Sequence, residues 1–377
     1  MKKVLIAPNS FKGCASSIEV AKLLEKYLSL NQNLKIDSCP ISDGGDGFLK
    51  VCAQKYDLEM LTYRITTPYD ESTFDVQVGY QKELKTIYIE SAKVLGLSII
   101  PLEFRKVIKL SSKGMGELLH QIFMDIDENK LEVEQIIVGI GGTGINDLGL
   151  GMCSQFGLQL FDHFGQRLKI VPEEFYRVAR IDISEISSVC KITCILDVEN
   201  QLQGKSGATH KFAKQKGASP GEISVMEMGF SKIINLLQSN NISGIPDVLF
   251  GAGGGLAAGF QIFLNADCQQ SNEFIINRIL NGCVNNQYDY VITGEGKFDD
   301  QSLLGKGAYS VIKTFHDKTN SIFLCSGIVD PDMKAMLPSN VKTMQLLDFF
   351  TNESESILNF ESGIQKACEI ILKDMDS

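Results

Sequence analysis

Five short cassettes of Gly, Asp, Asn and Lys follow apolar runs of this chain and hold most of the residues that could do chemistry. They are Asn9-Ser-Phe-Lys-Gly13, Asp43-Gly-Gly-Asp-Gly47, Gly139-Ile-Gly-Gly-Thr-Gly-Ile-Asn-Asp147, Asp197-Val-Glu-Asn200 and Gly294-Glu-Gly-Lys-Phe-Asp-Asp300. Glycines after strands let backbone amides approach phosphate, and carboxylates there can hold Mg²⁺. A lysine neutralises charge on a transferring phosphoryl group. The set therefore favours phosphoryl transfer, which depends on positioning and electrostatics.

Each cassette also has a plainer interpretation when it is taken alone. Glycines after strands mostly form turns, and Asp147 or Asp197 could cap a helix. The segment Gly139-x-Gly141-x-x-Gly144, with Asp162 eighteen residues further on, has the spacing of a dinucleotide-binding fingerprint. Further glycines occupy the helix that this fingerprint needs, and Asp147 would place a carboxylate beside the pyrophosphate. Nicotinamide binding is therefore the weaker alternative, and no Gly-x4-Gly-Lys-[Ser/Thr] P-loop occurs in the sequence.

The apolar runs before the cassettes are the elements that must position them. Strands are predicted at residues 4–7, 34–41, 135–140, 191–196, 289–293 and 321–325. Helical patterns lie between several of them, for example at residues 116–126, 272–280 and 357–375. The capping-box pattern from Ser16 to Glu19 predicts the start of the first helix. This alternation predicts an α/β fold with largely parallel sheets, in which ligands bind outside the carboxyl ends of the strands.

A change of pattern between residues 66 and 89 predicts a domain crossing. Apolar residues there alternate with polar ones, as at Phe74, Val76 and Val78, which is typical of antiparallel or half-exposed strands. A second crossing is predicted near residues 285–288. The sequence therefore predicts a discontinuous domain, 1–75 plus 287–377, and an inserted central α/β domain at 76–286.

Length, composition and charge narrow the class of protein. At 377 residues the chain is long for one core, and 44% hydrophobic with 22% charged residues is ordinary globular composition. A net charge of −10 argues against a nucleic-acid surface. No apolar run approaches the ~18–20 residues of a membrane span. Ten scattered cysteines favour reduced thiols, so we expect a cytoplasmic protein with neither nucleic-acid nor membrane partners.

Read in order, the cassettes resemble the glycerate kinase family over nearly the whole chain. The matching segments are Ile6-Ala-Pro-Asn-Ser-Phe-Lys-Gly13, Ser42-Asp-Gly-Gly-Asp-Gly47, Gly114-Met-Gly-Glu-Leu118, Gly141-Gly-Thr-Gly-Ile-Asn-Asp147, Asp197-Val-Glu-Asn200, Gln215-Lys-Gly-Ala218, Gly251-Ala-Gly-Gly-Gly255, Val291-Ile-Thr-Gly-Glu-Gly-Lys-Phe-Asp299 and Gly305-Lys306. The resemblance implies a kinase that uses ATP and Mg²⁺ to convert D-glycerate to 2-phosphoglycerate. It also implies a flavodoxin-like (Rossmann-like) parallel-sheet domain built from both termini, an inserted α/β domain with a mixed sheet, and an active site in the interdomain cleft.

Several residues depart from the pattern of that family. Asn9 stands where the family usually has Asp, Cys14 where Ser is usual, and Lys297 where Arg is usual. In the central cassette, Thr143, Ile145 and Leu148 replace the usual Ser, Thr and Gly. The alternatives are therefore a kinase for another small hydroxy-acid and a non-catalytic ligand-binding relative.

The chemistry of the cassettes, taken with the resemblance, assigns expected roles. Lys12, Asp43 and Asp197 are the predicted catalytic residues, and either Asp43 or Asp197 accepts the proton of the substrate hydroxyl. The predicted substrate contacts are Ser10, Asp46, Asn146, Asp147 and Lys306, and the predicted nucleotide contacts are Gly141, Gly142, Thr143, Gly144, Gly254 and Gly255. Asp197, Asn200 and Glu295 are the predicted Mg²⁺ ligands. The sequence leaves open which domain binds ATP and the oligomeric state, with a homodimer as one alternative.

Overall fold

The computed structural model describes residues 1–183, 188–197, 200–202, 207–239, 245–304 and 307–376. The chain divides into two compact units. Unit 1 consists of Met1–Asp43, Lys50–Lys55 and Ser271–Ser377, and unit 2 of Gly44–Leu49 and Tyr56–Gln270. This division assigns residues 56–75 to unit 2 and residues 271–286 to unit 1. The boundaries at 75/76 and 286/287 stay predictions from the sequence.

The strands of the described residues are numbered in chain order. They are β1 (Lys2–Ile6), β2 (Leu34–Ser38), β3 (Glu59–Thr66), β4 (Thr73–Gln81), β5 (Thr86–Glu90), β6 (Gln135–Ile140), β7 (Gln159–Phe161), β8 (Arg180–Asp182), β9 (Lys191–Leu196), β10 (Asp267–Gln270), β11 (Tyr290–Phe298), β12 (Ser321–Val329) and β13 (Val341–Gln345).

The α-helices are numbered in the same way. They are α1 (Ser17–Leu28), α2 (Phe48–Lys55), α3 (Ser91–Leu95), α4 (Lys113–Asp127), α5 (Leu150–Cys153), α6 (Ala208–Phe212), α7 (Pro220–Ser239), α8 (Leu256–Leu264), α9 (Ser271–Phe274), α10 (Gly307–Phe315), α11 (Pro331–Ala335), α12 (Glu353–Leu358) and α13 (Phe360–Asp376). None of the helices within the described residues has both the length and the apolar character that a membrane crossing requires.

Unit 1 is built on a parallel sheet in the order β2-β1-β11-β12-β13. Counted along unit 1 alone, this is the flavodoxin-like order 2-1-3-4-5. The predicted flavodoxin-like domain built from both termini is therefore confirmed. The strand order reverses between β1 and β11, and ligands of such sheets bind outside the carboxyl ends of the strands at this switch point.

Local sequence explains the elements of unit 1. The central strands are apolar because helices cover both faces of a parallel sheet, and Val4, Leu5 and Ile6 have no exposed surface. Helix α1 begins at Ser16, whose side chain accepts a hydrogen bond from the Glu19 amide while the Glu19 carboxylate bonds back. The predicted capping box is thus confirmed. Helices α1 and α13 pack against one face of this sheet.

Unit 2 is built on a mixed sheet in the order β10-β9-β6-β5-β4-β3. Strands β5, β6, β9 and β10 run parallel, and β4 pairs antiparallel with both β3 and β5. The predicted mixed sheet and the predicted antiparallel strands near residues 66–89 are both confirmed. Helix α8 is buried along its whole length within this unit. Strands β7 and β8 form a separate antiparallel pair.

Candidate active site

In unit 1, Asn9 follows β1 and bonds to a residue after β2 and to a residue within β11, at the switch point. Its backbone N–H donates to the Gly294 carbonyl of β11 at 2.8 Å. Its side-chain Nδ2 donates to Asp43 Oδ2 at 3.0 Å, and its Oδ1 accepts the Ser10 N–H at 2.8 Å. Asn9 and Asp43 are both buried, with 3% and 7% of their surface exposed. The Asp43 carboxylate is therefore held in a fixed orientation at the carboxyl end of the sheet.

The other predicted residues of unit 1 lie at the same end of the sheet. Ser10 is half-buried and Lys12 is exposed. The backbone of Lys12 passes close to Gly296, where a Cβ atom would lie 3.2 Å from the Lys12 amide nitrogen. Glu295 is the neighbour of Gly296 in β11. Unit 1 thus brings Ser10, Lys12, Asp43 and Glu295 to one sheet edge, and Lys306 lies outside the described residues.

In unit 2, the loop after β6 offers fewer amides to a phosphate than its glycines suggest. The Gly141 N–H donates to Ser91 Oγ at 3.2 Å, and the Gly144 N–H donates to the Leu95 carbonyl at 2.7 Å. The N–H groups of Gly142 and Thr143 donate to no other described residue. Asp46 Oδ2 lies 3.0 Å from where a Cβ atom on Gly142 would stand. Two predicted amides remain for a ligand, with a carboxylate beside them.

A second glycine segment packs against this loop. Gly253, Gly254 and Gly255 have φ angles of +67°, +71° and +83°, a backbone conformation that favours glycine. A Cβ atom on Gly254 would lie only 2.0 Å from the Ile145 carbonyl oxygen. The Gly255 N–H donates to the Gly251 carbonyl at 3.0 Å, whereas the Gly253 and Gly254 N–H groups donate to no other described residue. These two add to the amides that can meet an anion.

Asp147 is fully buried, and its carboxylate accepts hydrogen bonds that hold the loop after β6 in place. Oδ2 accepts hydrogen bonds from the Ser112 N–H at 2.6 Å, the Ser112 hydroxyl at 2.8 Å and the Gly151 N–H at 3.2 Å. Oδ1 accepts the Gly149 N–H at 3.1 Å. Burial raises the pKa of Asp147, and these hydrogen bonds act in the opposite direction. The geometry gives this residue a positioning role, and its contact with substrate stays a prediction.

Asn146 is also packed inside unit 2. Its Nδ2 lies 3.3 Å from Met226 Sδ, and its Oδ1 lies 2.9 Å from where a Cβ on Gly254 would stand. Only 2% of its surface is exposed. Its predicted contact with substrate likewise stays a prediction, because these contacts point to a role in joining the two glycine segments.

Asp197 and Asn200 follow β9, at the same end of the sheet of unit 2 as the loop after β6. Asp197 directly follows Leu196, which pairs with Ile140, and Ile140 precedes Gly141. The Asn200 carbonyl accepts the Gly251 N–H at 2.9 Å. Residues 198 and 199 of this cassette lie outside the described residues.

The predicted Mg²⁺ ligands are divided between the units, with Asp197 and Asn200 in unit 2 and Glu295 in unit 1. No group of three or more His, Cys, Asp and Glu side chains suited to a metal occurs among the described residues. Mg²⁺ in kinases is usually bound through one or two carboxylates plus substrate phosphates. Asp46 lies beside Gly142, and Asp197 follows the strand that pairs with the residues before Gly141, so these two carboxylates fit that requirement.

Sequence reasoning gave Lys216 no role, although the Gln215–Ala218 segment formed part of the resemblance. Lys216 is buried, and its Nζ donates to the Ile145 carbonyl at 2.7 Å and approaches Thr143 Oγ1 at 3.5 Å. Burial lowers the pKa of Lys216 to about 8, while the charge of Asp147 acts in the opposite direction. The signal available in the sequence was its place in that segment, but burial of its ammonium group could not be deduced.

Glu90 is a second residue that the sequence did not single out. It ends β5 and is buried, and its carboxylate accepts the Gly47 N–H at 3.0 Å and the Leu49 N–H at 2.9 Å. Burial raises its pKa, and these two hydrogen bonds oppose that shift. Glu90 thereby anchors the segment that carries Asp46. A lone carboxylate at the end of an apolar strand was the available signal.

Asp162, the acidic residue of the dinucleotide-binding alternative, belongs to a turn after β7. Its Oδ1 accepts the N–H groups of Phe164 and Gln166, each at 2.9 Å. Its Oδ2 pairs with the Arg177 guanidinium at 3.1 Å. These contacts give Asp162 a role in the turn, and nothing in them favours a ribose-binding role.

Comparison with known proteins gives a consistent result. A family model described as Glycerate kinase family matches residues 4–376. A protein named Glycerate 2-kinase from Escherichia coli is 32% identical over 328 residues, which cover 83% of each chain. A protein named Glycerate kinase from Neisseria meningitidis is 28% identical over 344 residues, covering 90% of this chain and 89% of the other. A crystal structure from Salmonella typhimurium LT2, named for glycerate kinase 2, superposes over the full length of both chains with a TM-score of 0.74 and 26% identity.

Proposed function

This chain belongs to the glycerate kinase family, and we propose that it transfers the γ-phosphoryl group of ATP to the 2-hydroxyl group of D-glycerate. The observation that carries the proposal is the match to the family model over nearly the whole chain. Similarity to a relative named Glycerate 2-kinase supports the same conclusion. The two glycine segments of unit 2 and the buried carboxylate of unit 1 support it, because anion-binding amides and a proton acceptor are the parts that this reaction needs.

Asp43 is the proposed proton acceptor. Its carboxylate is oriented by Asn9 at the switch point of unit 1. Such a carboxylate accepts the proton of the substrate hydroxyl as the oxygen attacks phosphorus. Asp197 lies instead beside Gly141 in unit 2, so it is better placed for a cation at the phosphates. Lys12, exposed at the same edge as Asp43, binds the carboxylate of the hydroxy-acid.

The triphosphate of ATP is bound by unit 2 in this proposal. Donors are the N–H groups of Gly142, Thr143, Gly253 and Gly254, which donate to no other described residue. Asp46 and Asp197 would hold Mg²⁺, which when bound neutralises negative charge on the phosphate oxygens.

A second candidate function is phosphorylation of a different small hydroxy-acid. Asn9 favours it, because a neutral amide that donates to Asp43 replaces the acid that is usual in the family.

The cysteines indicate the cellular compartment. All ten are free thiols, which is typical of a reducing compartment, so we propose a cytoplasmic enzyme.

A coupled assay of ADP release tests the proposal, with Mg-ATP and a panel of hydroxy-acids that includes D-glycerate. Phosphorus NMR then identifies the phosphorylated position. Turnover of D-glycerate to 2-phosphoglycerate is the expected result. Turnover of another acid alone would replace the proposed substrate with the second candidate. A folded chain that binds ATP but turns over no acid in the panel would contradict both.

A further inference from the structure

We propose that Lys216 is a phosphate-binding residue of unit 2. Its ammonium group contacts the 142–145 loop and attracts the triphosphate of ATP toward the amides of that loop. This inference rests on the proposed function, because it assumes that an anion occupies the glycine segments. It adds a buried lysine to a site for which the sequence predicted glycine amides and carboxylates.

The position of Lys216 supports this role. Its Nζ lies 2.7 Å from the Ile145 carbonyl oxygen, and the same oxygen lies 2.0 Å from where a Cβ on Gly254 would stand. Lys216 Nζ is also 3.5 Å from Thr143 Oγ1. One ammonium group therefore lies next to both segments whose amides donate to no other described residue. Successive backbone N–H groups in turns of this kind can form an anion-binding concavity.

The charge balance around Lys216 favours binding of an anion. Both of its hydrogen-bond partners, a carbonyl and a hydroxyl, are neutral. Within the described residues it forms no salt bridge, and Asp147 is the charged group that acts on it. The Asp147 carboxylate already accepts four hydrogen bonds from Ser112, Gly149 and Gly151. A buried cation without a directly bonded carboxylate is costly in free energy, and a bound phosphate would offset that cost.

The state of charge of Lys216 gives the proposal a pH signature. With a pKa lowered by burial to about 8, Lys216 keeps its ammonium form below pH 8 and loses the proton above it. A bound triphosphate favours the charged form, so affinity for triphosphate should fall as the pH rises through 8. An arginine at this position stays charged over the same range and would remove that fall.

The test compares Lys216→Met and Lys216→Arg with the matched control Lys214→Met, which changes an exposed lysine two residues away. Calorimetry measures binding of ATP and of inorganic triphosphate to the full chain between pH 6.5 and 9.5, and thermal melting measures stability. We expect Lys216→Met to weaken triphosphate binding about 100-fold without lowering the melting temperature. Lys216→Arg should retain binding within about tenfold and flatten the pH dependence, and Lys214→Met should stay within about twofold of wild type.

Two results would overturn the proposal. Triphosphate binding by Lys216→Met within about threefold of wild type, together with a lowered melting temperature, would show that Lys216 only ties the loop together. Absence of triphosphate binding by the wild-type chain would exclude an anion at this site. Wild-type binding of triphosphate without turnover of D-glycerate would instead contradict the proposed substrate and leave the role of Lys216 intact, because the binding measurement needs no acceptor. Should Lys216→Met fail to fold, the flattened pH dependence of Lys216→Arg decides.

Discussion

The two units hold their candidate functional groups by different physical means. In unit 1, the Asp43 carboxylate is oriented by a side chain, because Asn9 donates to it at 3.0 Å. In unit 2, the second glycine segment is placed against the loop after β6 by a backbone contact, because Gly254 lies so close to Ile145 that no side chain fits between them. A side-chain contact can be removed with little disturbance of the chain, whereas a backbone contact cannot.

The lysines of the two units differ in exposure, whereas the carboxylates do not. Lys12 of unit 1 is exposed, and Asp43 is buried. Lys216 and Asp147 of unit 2 are buried. Burial lowers the pKa of Lys216 and raises the pKa of Asp147, so it favours the neutral form of both. We therefore expect substitutions in the site of unit 1 to change activity more than stability. Substitutions in the glycine segments of unit 2 should change both.

The largest effect is expected from Asp43→Asn, which keeps the shape of the side chain and removes its ability to accept a proton. Loss of a general base costs a factor of about 10³ in rate, within the usual range for such residues. The coupled assay with Mg-ATP and D-glycerate measures kcat, and chemical denaturation measures the free energy of unfolding. We expect kcat to fall about 10³-fold and the free energy of unfolding to change by less than about 1 kcal/mol.

Asp376→Asn, at an exposed position near the end of α13, is the control for Asp43→Asn and should leave kcat unchanged. If Asp43→Asn retained more than a tenth of the wild-type kcat, Asp43 would not be the proton acceptor. Asp197 would then be the remaining carboxylate from the original pair of candidates.

The next effect concerns the backbone of unit 2 and is tested by Gly254→Ala. The new Cβ would collide with the Ile145 carbonyl, and the φ angle of +71° is unfavourable for alanine. We expect the free energy of unfolding to fall by about 3 kcal/mol and triphosphate binding to weaken. Denaturation in urea and calorimetry measure the two quantities.

Gly165→Ala separates the two causes of that loss. Gly165 lies in the same unit with a φ of +76°, but no atom lies within 4 Å of a Cβ placed on it. Only the conformational cost should remain there, about 1 kcal/mol. Equal losses in the two variants would show that close approach of the backbone is unimportant, and the contrast between the units would then fail.

The fold was largely predictable because each element carries its own local signal. Alternating apolar runs and helical patterns indicated the layers, and the carboxyl ends of parallel strands meet at one sheet edge, so Asn9 and Asp43 could be expected near each other. Non-local contacts were the part that could not be predicted. The Gly141 and Gly144 amides are occupied by Ser91 and Leu95, which come from a distant segment of the chain. Burial of Lys216 likewise depends on packing that no local pattern records.

The smallest effect, and the closest test of the contrast, comes from Asn9→Ala. This change removes the donor to Asp43 and the acceptor for the Ser10 N–H, while the backbone N–H of residue 9 keeps its hydrogen bond to Gly294. Because a lost hydrogen bond at a buried site costs about 1–2 kcal/mol, we expect a loss of that size in the free energy of unfolding and about a tenfold fall in kcat/KM. Asn33→Ala, at an exposed asparagine of unit 1, should alter neither. A fall in stability as large as that of Gly254→Ala, without loss of activity, would show that the two sites are held in the same way, because Asn9 would then act as part of the framework and not as the residue that orients Asp43.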